Sequence, residues 1–150
     1  MDTILRDIGV IARALDSIAN VEFKEYELTR GQYVYLVRIY ENQGIIPEHL
    51  ADMIKVDRST ASRAIQRLVE KGFVKKELDN ENKKIIHLEV TARGRERAQF
   101  ILREHAYSSL TALKGISESD QQTLNKLVKK MKHNVEKDWH LVKNGGKREY

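Results

Sequence analysis

The chain contains no cysteine among its 150 residues. That absence excludes disulfide bridges, thiol nucleophiles, cysteine-based zinc sites and thiol redox sensing. The sequence has one proline and only eight glycines, and so few breakers of regular structure favour a mostly helical chain. No apolar run approaches the ~20 residues that a membrane-spanning helix needs. The opening Met1-Asp2-Thr3-Ile4 has no signal-peptide core. We therefore expect a cytoplasmic chain with no membrane partner.

Positive charge is concentrated in the middle of the chain. The formal net charge is +5, but residues 1–52 carry five Lys/Arg against nine Asp/Glu. Residues 53–103 carry thirteen against seven, and residues 104–150 carry nine against six. A basic segment of this kind is the electrostatic footprint of a nucleic-acid binder. The alternative is a solvated surface that happens to be basic.

Residues 58–71 predict a helix with one apolar and one polar face. Ala61, Ile65 and Leu68 recur at helical spacing and form the apolar face. The opposite face is short and polar and includes a cation, so it can hydrogen-bond to phosphates and base edges. A helix of this kind fits the major groove of DNA. Its polar face consists of Ser59, Ser62, Arg63, Gln66 and Glu70.

The residues around this helix predict a helix-turn-helix followed by a hairpin. A short helix over residues 47–54 begins at a proline, and the turn after it ends at Asp57, which can cap the next helix. Two strands follow, over residues 73–78 and 84–90. The polar turn between them, residues 79–83, is rich in Asn and Asp.

Long helices are expected on both sides of this region. Residues 4–21 and 124–142 place apolar side chains every three or four positions, and a helix this apolar needs a partner such as a second subunit. A further helix is expected to start within residues 28–32, where Thr29 and Gln32 match a Thr-x-x-Gln capping box. Thr91 is expected to cap a long helix.

In order and spacing these elements resemble the MarR family of bacterial winged-helix regulators, with the motif-bearing part at residues 28–94. The resemblance implies a mostly α fold with a small β-hairpin wing, a winged helix-turn-helix that dimerises through its N- and C-terminal helices. The strings that carry it are Leu50-Ala51-Asp52-Met53, Asp57-Arg58-Ser59-Thr60-Ala61-Ser62-Arg63, Leu68-Val69-Glu70-Lys71-Gly72-Phe73-Val74 and Val90-Thr91-x-x-Gly94.

The chain departs from the family pattern at four positions, of which Val90, in place of the leucine of a Leu-Thr pair, changes little. Many members carry Asp-x-Arg in the wing, where this chain has Asn82 and Lys84. Lys84 keeps the cation but lacks the flat, two-pronged geometry of a guanidinium. Ile46 stands where a polar helix cap is usual. The family's anchoring of a wing arginine by its aspartate is therefore not expected at Asn82 and Lys84, and the third helix is expected to be less well capped at Ile46.

The resemblance implies a domain order: a dimerisation helix at residues 1–28, a DNA-binding lobe at 29–94, dimerisation helices at 95–143 and a flexible basic tail at 144–150. It implies a ligand-responsive repressor that binds double-stranded DNA at a pseudo-palindromic operator as a homodimer. One alternative is a winged-helix adaptor or scaffold that uses the basic lobe for protein contacts. The polar face of the helix at residues 58–67 argues against this adaptor alternative, because the core of a protein interface is more aromatic. The other alternative is a metal-responsive regulator within the family.

Ten side chains are candidates for DNA contact. Arg63 can pair bidentately with guanine and Gln66 with adenine. Ser59 and Thr60 lie at the start of their helix, where the helix dipole favours phosphate binding. The full set is Arg58, Ser59, Thr60, Ser62, Arg63, Gln66, Arg67, Lys83, Lys84 and Arg93.

The remaining candidates lie at the edges of this surface. Arg58 and Arg67 flank the polar helix face, and either phosphate contacts or internal ion pairs would explain them. Lys83 and Lys84 are near the hairpin tip, where minor-groove or phosphate contact is expected. Arg93 resembles a backbone contact near the base of the wing.

The family also implies an effector pocket between the dimer arms and the DNA-binding lobe. A small aromatic or lipophilic effector would contact Ile11, Leu15, Tyr33 and Tyr40; the alternative for these residues is ordinary core packing. The five histidines form no metal-binding motif, so no metal site or cofactor is predicted. No catalytic motif is found, and the chain is not expected to be an enzyme.

Overall fold

The computed structural model describes residues 3–29 and 31–150. Met1 and Asp2, at the predicted N-terminus of the first helical segment, and Arg30, within the predicted start of the second helix, lie outside the described residues. The described residues form α1 (Ile4–Glu22), a 3-10 turn (Lys24–Tyr26), α2 (Gln32–Glu41), α3 (Pro47–Ile54), α4 (Arg58–Glu70), β1 (Val74–Leu78), β2 (Ile86–Val90), α5 (Ala92–Ala112) and α6 (Glu118–Lys143). The predicted mostly helical fold with a β-hairpin wing is confirmed.

The chain divides into two compact units, one ending at Ser108 and the other running from Ser109 to Tyr150. The core of the first unit lies among α2, α3, α4, the hairpin and the first part of α5. Fully burying one large apolar side chain contributes about 1.5–3 kcal/mol. The largest fully buried side chains are Phe23, Leu28, Leu36, Ile39, Leu50, Ile65, Leu68, Phe73, Leu88 and Ile101.

The helix-turn-helix has the bounds that local rules predict. Pro47 is at the first turn of α3, where its missing N–H costs nothing. Lys55 is the C-cap residue after α3, a left-handed residue with φ of 66°, and its amide bonds back to the helix. The Asp57 carboxylate then accepts from the Thr60 amide at 2.7 Å and caps α4. This cap and turn fix the angle at which α4 leaves α3.

The predicted capping box at the start of α2 is wrong. α2 begins at Gln32, and its N-cap is Gly31, with φ of 74° and no side-chain cap. The Gly31 amide instead donates to Asn20 Oδ1 at 3.2 Å. The Gln32 side chain is only 3% exposed, and its Oε1 accepts from Lys71 Nζ at 2.7 Å. Gln32 therefore ties the start of α2 to the end of α4, so its side chain is not available for the box with Thr29.

The two strands form an antiparallel hairpin in the register Val74↔Val90 to Leu78↔Ile86. A third segment joins it, since Leu88 bridges to Ile45 in the loop between α2 and α3. The Leu88 amide donates to Ile45 O at 2.9 Å. The predicted strands were one residue too long at the start of β1 and two at the start of β2. The base of the wing is thus held from both sides.

α5 starts where the prediction placed it. Thr91 Oγ1 accepts from the Gly94 amide at 3.0 Å and donates to Gly72 O at 2.6 Å. Gly94 packs directly on the chain leading into β1, because a Cβ added there would lie 1.9 Å from Phe73 O. The absence of a side chain at this position lets α5 support the hairpin.

The second unit consists of the last residues of α5, the following turn, α6 and the tail. Ser117 caps α6 by accepting from the Asp120 amide at 3.1 Å. In the tail, Arg148 Nε lies 3.1 Å from Asp138 Oδ2, and the Gly146 amide donates to Leu141 O at 2.8 Å. Over the described part of the chain, no helix combines the length and the apolar character needed to cross a membrane.

Candidate nucleic-acid interface

α4 exposes the polar face that its sequence predicts. Its apolar side is buried in the core through Ala61, Ala64, Ile65 and Leu68. On the other side, Thr60 is half-buried, and the remaining six helix candidates are exposed. These six are Arg58, Ser59, Ser62, Arg63, Gln66 and Arg67. The surface contains serine hydroxyls, one amide and three guanidinium groups, which are donors and acceptors that match phosphates and base edges.

The first turn of α4 is internally ordered. Ser59 Oγ donates to Asp57 Oδ1 at 2.7 Å, the same oxygen that caps the helix. Arg63 Nη2 lies 3.5 Å from Thr60 Oγ1, a distance at which the hydrogen bond is weak. Within the described residues that is the only polar partner of Arg63. Its guanidinium is therefore well placed to bind a ligand outside the chain.

Arg58 is paired in the structure. Its Nη2 lies 2.7 Å from Glu48 Oε2 on α3, and both side chains are mostly exposed. An exposed pair of this kind contributes about 0–1 kcal/mol, so Arg58 can exchange Glu48 for a phosphate at low cost. Of the two roles considered for Arg58, the free chain adopts the ion pair, and the DNA contact stays a prediction. The DNA contact of Arg67, exposed in the last turn of α4, also stays a prediction.

The wing and α4 face one open cavity of about 320 Å³. Its walls include Arg58 and Ser62 from α4, Lys84 from the wing and Pro47 from the start of α3. Three of the ten predicted DNA contacts, which lie up to 26 positions apart in sequence, therefore meet around one concave surface. Side chains of α4 and of the wing thus contribute to the same surface.

The wing tip is a polar turn held by side-chain hydrogen bonds to its own backbone. Asp79 Oδ2 accepts from the amides of Glu81 and Asn82 at 3.1 and 2.9 Å. Asn82 Oδ1 accepts from the Lys84 amide at 3.0 Å. Asn82 thus holds the backbone of the turn. Lys83 and Lys84 are exposed beyond it, as DNA contact would require.

His87 anchors the wing, although it is not among the site residues predicted from the sequence. Its Nδ1 lies 2.8 Å from Gly44 O, and its Nε2 lies 2.8 Å from Asp79 Oδ1. The Asp79 carboxylate and the Gly44 carbonyl raise the pKa of His87. The same His87 contact, with the Asn82 and Glu81 amides, lowers the pKa of Asp79. The available signal was an aspartate at the start of the predicted hairpin turn and a histidine in the predicted strand that follows it.

Arg93 is held by the protein on several sides. Its Nη1 donates to Lys71 O at 2.6 Å, and its Nη2 donates to Glu27 Oε2 at 2.8 Å. The guanidinium also stacks on the Phe73 ring, 4.6 Å from its centre. These contacts tie α5, the end of α4 and the turn before α2 to one another. The predicted DNA contact of Arg93 stays a prediction, beside this clear structural role.

The four candidate effector residues are placed differently from one another. Tyr33 is buried, and its hydroxyl donates to Asp16 Oδ1 at 2.5 Å. Burial and the Asp16 carboxylate raise the pKa of Tyr33. Ile11 and Leu15 are exposed on α1, in the turns that precede Asp16. Tyr40 is half-buried, with the Arg95 guanidinium 5.6 Å from its ring centre. Tyr33 thus adjoins both α1 and α5, and Tyr40 adjoins α5.

No cluster of three or more His, Asp or Glu side chains suited to a metal ion occurs in residues 3–29 and 31–150.

Comparison with known proteins places these features in a family. The MarR family model matches residues 28–86. The HTH-type transcriptional regulator YybA of Bacillus subtilis (strain 168) is 53% identical over 150 residues, which is all of both chains. The transcriptional regulator SlyA has a crystal structure with a TM-score of 0.91 and 52% identity, over 94% of this chain and 99% of that chain.

A second solved structure is that of a MarR family transcriptional regulator from Listeria monocytogenes, complexed with 26mer DNA. It has a TM-score of 0.96 and 53% identity, and the match covers the full length of both chains. The helix-turn-helix and the wing described above therefore lie in a fold shared over the whole chain.

Proposed function

The chain belongs to the MarR family of transcriptional regulators, and on that premise we propose that it is a ligand-responsive repressor that binds a pseudo-palindromic DNA operator as a homodimer in the bacterial cytoplasm. The prediction that the chain is a transcriptional regulator and not an enzyme is confirmed by its relatives. The operator, the dimer, the effector and the sign of regulation are the proposed parts.

The observation that carries the proposal is the surface formed by α4 and the wing. Arg58, Ser62 and Lys84 line one concave surface, and Arg63 presents a guanidinium with little internal competition. Arginine reads guanine in the major groove by a bidentate contact, while lysines at a wing tip suit phosphates or the minor groove. The Listeria relative, 53% identical to this chain, is complexed with 26mer DNA, which supports DNA binding by this chain.

Dimerisation is supported by apolar side chains left in solvent. On α1, Leu5 is 64% exposed and Ile11 is 54% exposed; on α6, Leu127 is 54% exposed. Because apolar side chains recur every three or four positions along these helices, they form apolar stripes of the kind that mark an interaction site. A two-fold axis would set two α4 helices about 34 Å apart, one turn of DNA, and would explain a pseudo-palindromic operator.

Ligand response is proposed at the junction of α1, α2 and α5. Ile11 and Leu15 offer apolar surface there, and the Tyr33 ring lies 6.2 Å from the His105 ring of α5. A small aromatic or lipophilic effector bound by Ile11, Leu15, Tyr33 and Tyr40 would act if it preferred a dimer whose α4 helices are wrongly spaced. Binding then shifts the population away from the DNA-competent form.

The test is fluorescence anisotropy of the full-length protein with the DNA upstream of its own gene, titrated against salt and random competitor DNA. Binding that survives competitor, with a steep salt dependence, is expected of a sequence-specific regulator. If competitor abolishes binding, selection from a random DNA library follows. A library that yields no enriched sequence would overturn the proposal.

A further inference from the structure

On β1 and α4, three polar side chains form a chain of hydrogen bonds whose central member is Gln66, one of the predicted DNA contacts. Lys76 Nζ donates to Gln66 Oε1 at 3.1 Å, and Gln66 Nε2 donates to Glu70 Oε1 at 3.3 Å. We infer that Lys76 and Glu70 are positioning residues that fix the orientation of the Gln66 amide, and that Gln66 thereby determines one base pair of each half-site. This inference rests on the proposed function.

The hairpin register explains why Lys76, and not its neighbour, reaches α4. Side chains alternate along a strand, so Lys76 is on the same side of β1 as the buried Val74, and its cross-strand partner is the buried Leu88. Lys75 is on the opposite side, where its Nζ lies 3.1 Å from Glu77 and 3.4 Å from Glu89. Two adjacent lysines of one strand therefore have different partners.

Only one orientation of the amide satisfies both neighbours. A lysine ammonium can only donate hydrogen bonds, and an ionised carboxylate can only accept them. Rotating the Gln66 amide by half a turn would set its NH₂ group against the Lys76 ammonium and its oxygen against the Glu70 carboxylate. Both contacts would then be repulsive, so Lys76 and Glu70 together hold Oε1 toward the wing and Nε2 toward the end of α4.

A fixed amide can still read a base. After these two bonds, Gln66 retains one lone pair on Oε1 and one hydrogen on Nε2. Adenine presents N6–H₂ as donor and N7 as acceptor in the major groove, and glutamine pairs with both. Because the order of donor and acceptor is set before binding, the Gln66 side chain loses less freedom on binding and prefers one orientation of the base pair.

This role differs measurably from a phosphate contact. A lysine that touches only phosphate adds affinity for every sequence and increases the salt dependence. A lysine that positions Gln66 changes the preference at one base pair and leaves the other positions alone. The two roles are separated by the pattern of base preferences, whatever the change in overall affinity.

The experiment measures relative affinities of the full-length protein for operators that carry each of the four base pairs at every position of the half-site. Gln66→Ala first identifies the affected position. Lys76→Met, which keeps the side-chain length and removes the donor, is expected to lower discrimination at that same position about 3- to 10-fold. Lys76→Arg, which keeps a donor, is expected to restore most of it.

Two further variants make the result decisive. Lys75→Met removes the adjacent lysine and is expected to leave the preference at that position unchanged. Glu70→Gln replaces the acceptor-only carboxylate with a group that can also donate, so only Lys76 still favours one orientation of the Gln66 amide. It is expected to lower discrimination at the same position in the same direction as Lys76→Met, which provides an independent test if one variant is unstable. Unfolding temperatures measured in parallel identify such a variant.

The possible results separate the two levels of the proposal. If the wild-type protein selects an operator but Lys76→Met and Glu70→Gln leave the preference at the Gln66 position intact, the positioning role is wrong. A loss spread evenly over all positions would assign Lys76 to phosphate binding. If the wild-type protein selects no sequence, the proposed function itself fails, and the positioning role fails with it.

Discussion

The Nε2 atom of His87 lies 2.8 Å from Oδ1 of Asp79, across the base of the turn that carries the wing lysines. The other ring nitrogen, Nδ1, lies 2.8 Å from the carbonyl oxygen of Gly44. A backbone carbonyl and an ionised carboxylate both only accept hydrogen bonds. The geometry therefore requires a proton on each ring nitrogen, that is, the imidazolium form of His87. The hydrogen bonds of the charged His87 ring therefore link the wing to the loop between α2 and α3.

This pair predicts a pH dependence with a definite sign. The Asp79 hydrogen bond raises the pKa of His87 above its ordinary 6.5, so its stabilisation is complete below 6.5 and is lost as the pH rises through the folded-state value. The His87 hydrogen bond lowers the pKa of Asp79 below its ordinary 3.8, so that stabilisation is lost only as the pH falls through the lower folded value. The two shifts describe one shared interaction, fully present between about 3.8 and 6.5.

The measurement is the difference in unfolding temperature between the wild-type protein and His87→Gln as a function of pH. We expect the difference to be largest in mildly acidic solution and to shrink as the pH rises, because neutral imidazole keeps only one of the two bonds. Glu77, directly opposite His87 in the hairpin, acts in the same direction. His133→Gln, which changes an exposed histidine of α6, is the control. A difference that stays constant with pH would contradict the imidazolium assignment.

Adding a single methyl group at Gly94 is predicted to destabilise the fold through a steric clash. A Cβ at this position would lie 1.9 Å from Phe73 O, which is backbone and cannot rotate away. We expect Gly94→Ala to lower the free energy of unfolding by about 1–3 kcal/mol, as other overpacking changes do. The value would be measured by denaturant unfolding.

Gly9→Ala is the matched control. Gly9 is also helical, but the nearest atoms to an added Cβ belong to the flexible Arg13 guanidinium, at 3.1 Å. Alanine is favoured over glycine within a helix by about 0.5–1 kcal/mol, so this substitution should be neutral or stabilising. Equal losses for the two variants would rule out a specific contact between α5 and the hairpin.

The parts of the fold that follow local rules could be predicted from the sequence. A proline at the start of α3, an aspartate before α4 and a threonine before α5 act within a few residues of themselves, and these helices begin where expected. The predicted capping of the start of α2 was wrong because the Gln32 side chain accepts a hydrogen bond from Lys71, 39 positions away. No local pattern distinguishes a glutamine that closes its own helix from one that serves another.

The candidate site also combines features set by neighbouring residues with features set by residues distant in sequence. The exposed face of α4 follows from helical periodicity, so its members could be named from the sequence. The partners of those residues could not, because the hairpin register that brings Lys76 to Gln66 and Asp79 to His87 depends on the turn geometry. Arg93 illustrates the limit: sequence position and charge indicate a phosphate contact, yet in the fold its guanidinium is held by Glu27, Lys71 and Phe73.

Arg63 is predicted to carry sequence preference. Arg63→Ala should lower the affinity for the specific operator by about 1–3 kcal/mol and relax the preference at one base pair of each half-site. Anisotropy titrations with operator and with random DNA would measure both effects. Arg38→Ala, which removes an exposed arginine paired with Glu41 on α2, is the control. Unchanged operator binding by Arg63→Ala would exclude this side chain from base readout.

The wing lysines are predicted to act through charge. The double variant Lys83→Ala, Lys84→Ala should weaken binding to operator and random DNA alike. It should also reduce the slope of log K against log salt by about 0.9 for each phosphate that the wing no longer neutralises. The control, Lys129→Ala with Lys130→Ala on α6, removes the same charge from exposed positions elsewhere. An unaltered slope in the wing variant would remove the wing from the interface.

The exposed apolar side chains of α6 predict where the dimer contact lies. Leu127 is 54% exposed in the single chain, and glutamate there would leave an unpaired charge in a dimer interface, which costs several kcal/mol. Leu127→Glu should therefore shift the protein toward monomer, measured by sedimentation at several concentrations, and weaken operator binding in parallel because both half-sites must be engaged. Lys126→Glu is the control, since helical periodicity places residue 126 away from the apolar stripe. A Leu127→Glu protein that remains dimeric would move the interface off α6, and the proposed arrangement of the two α4 helices would have to be abandoned.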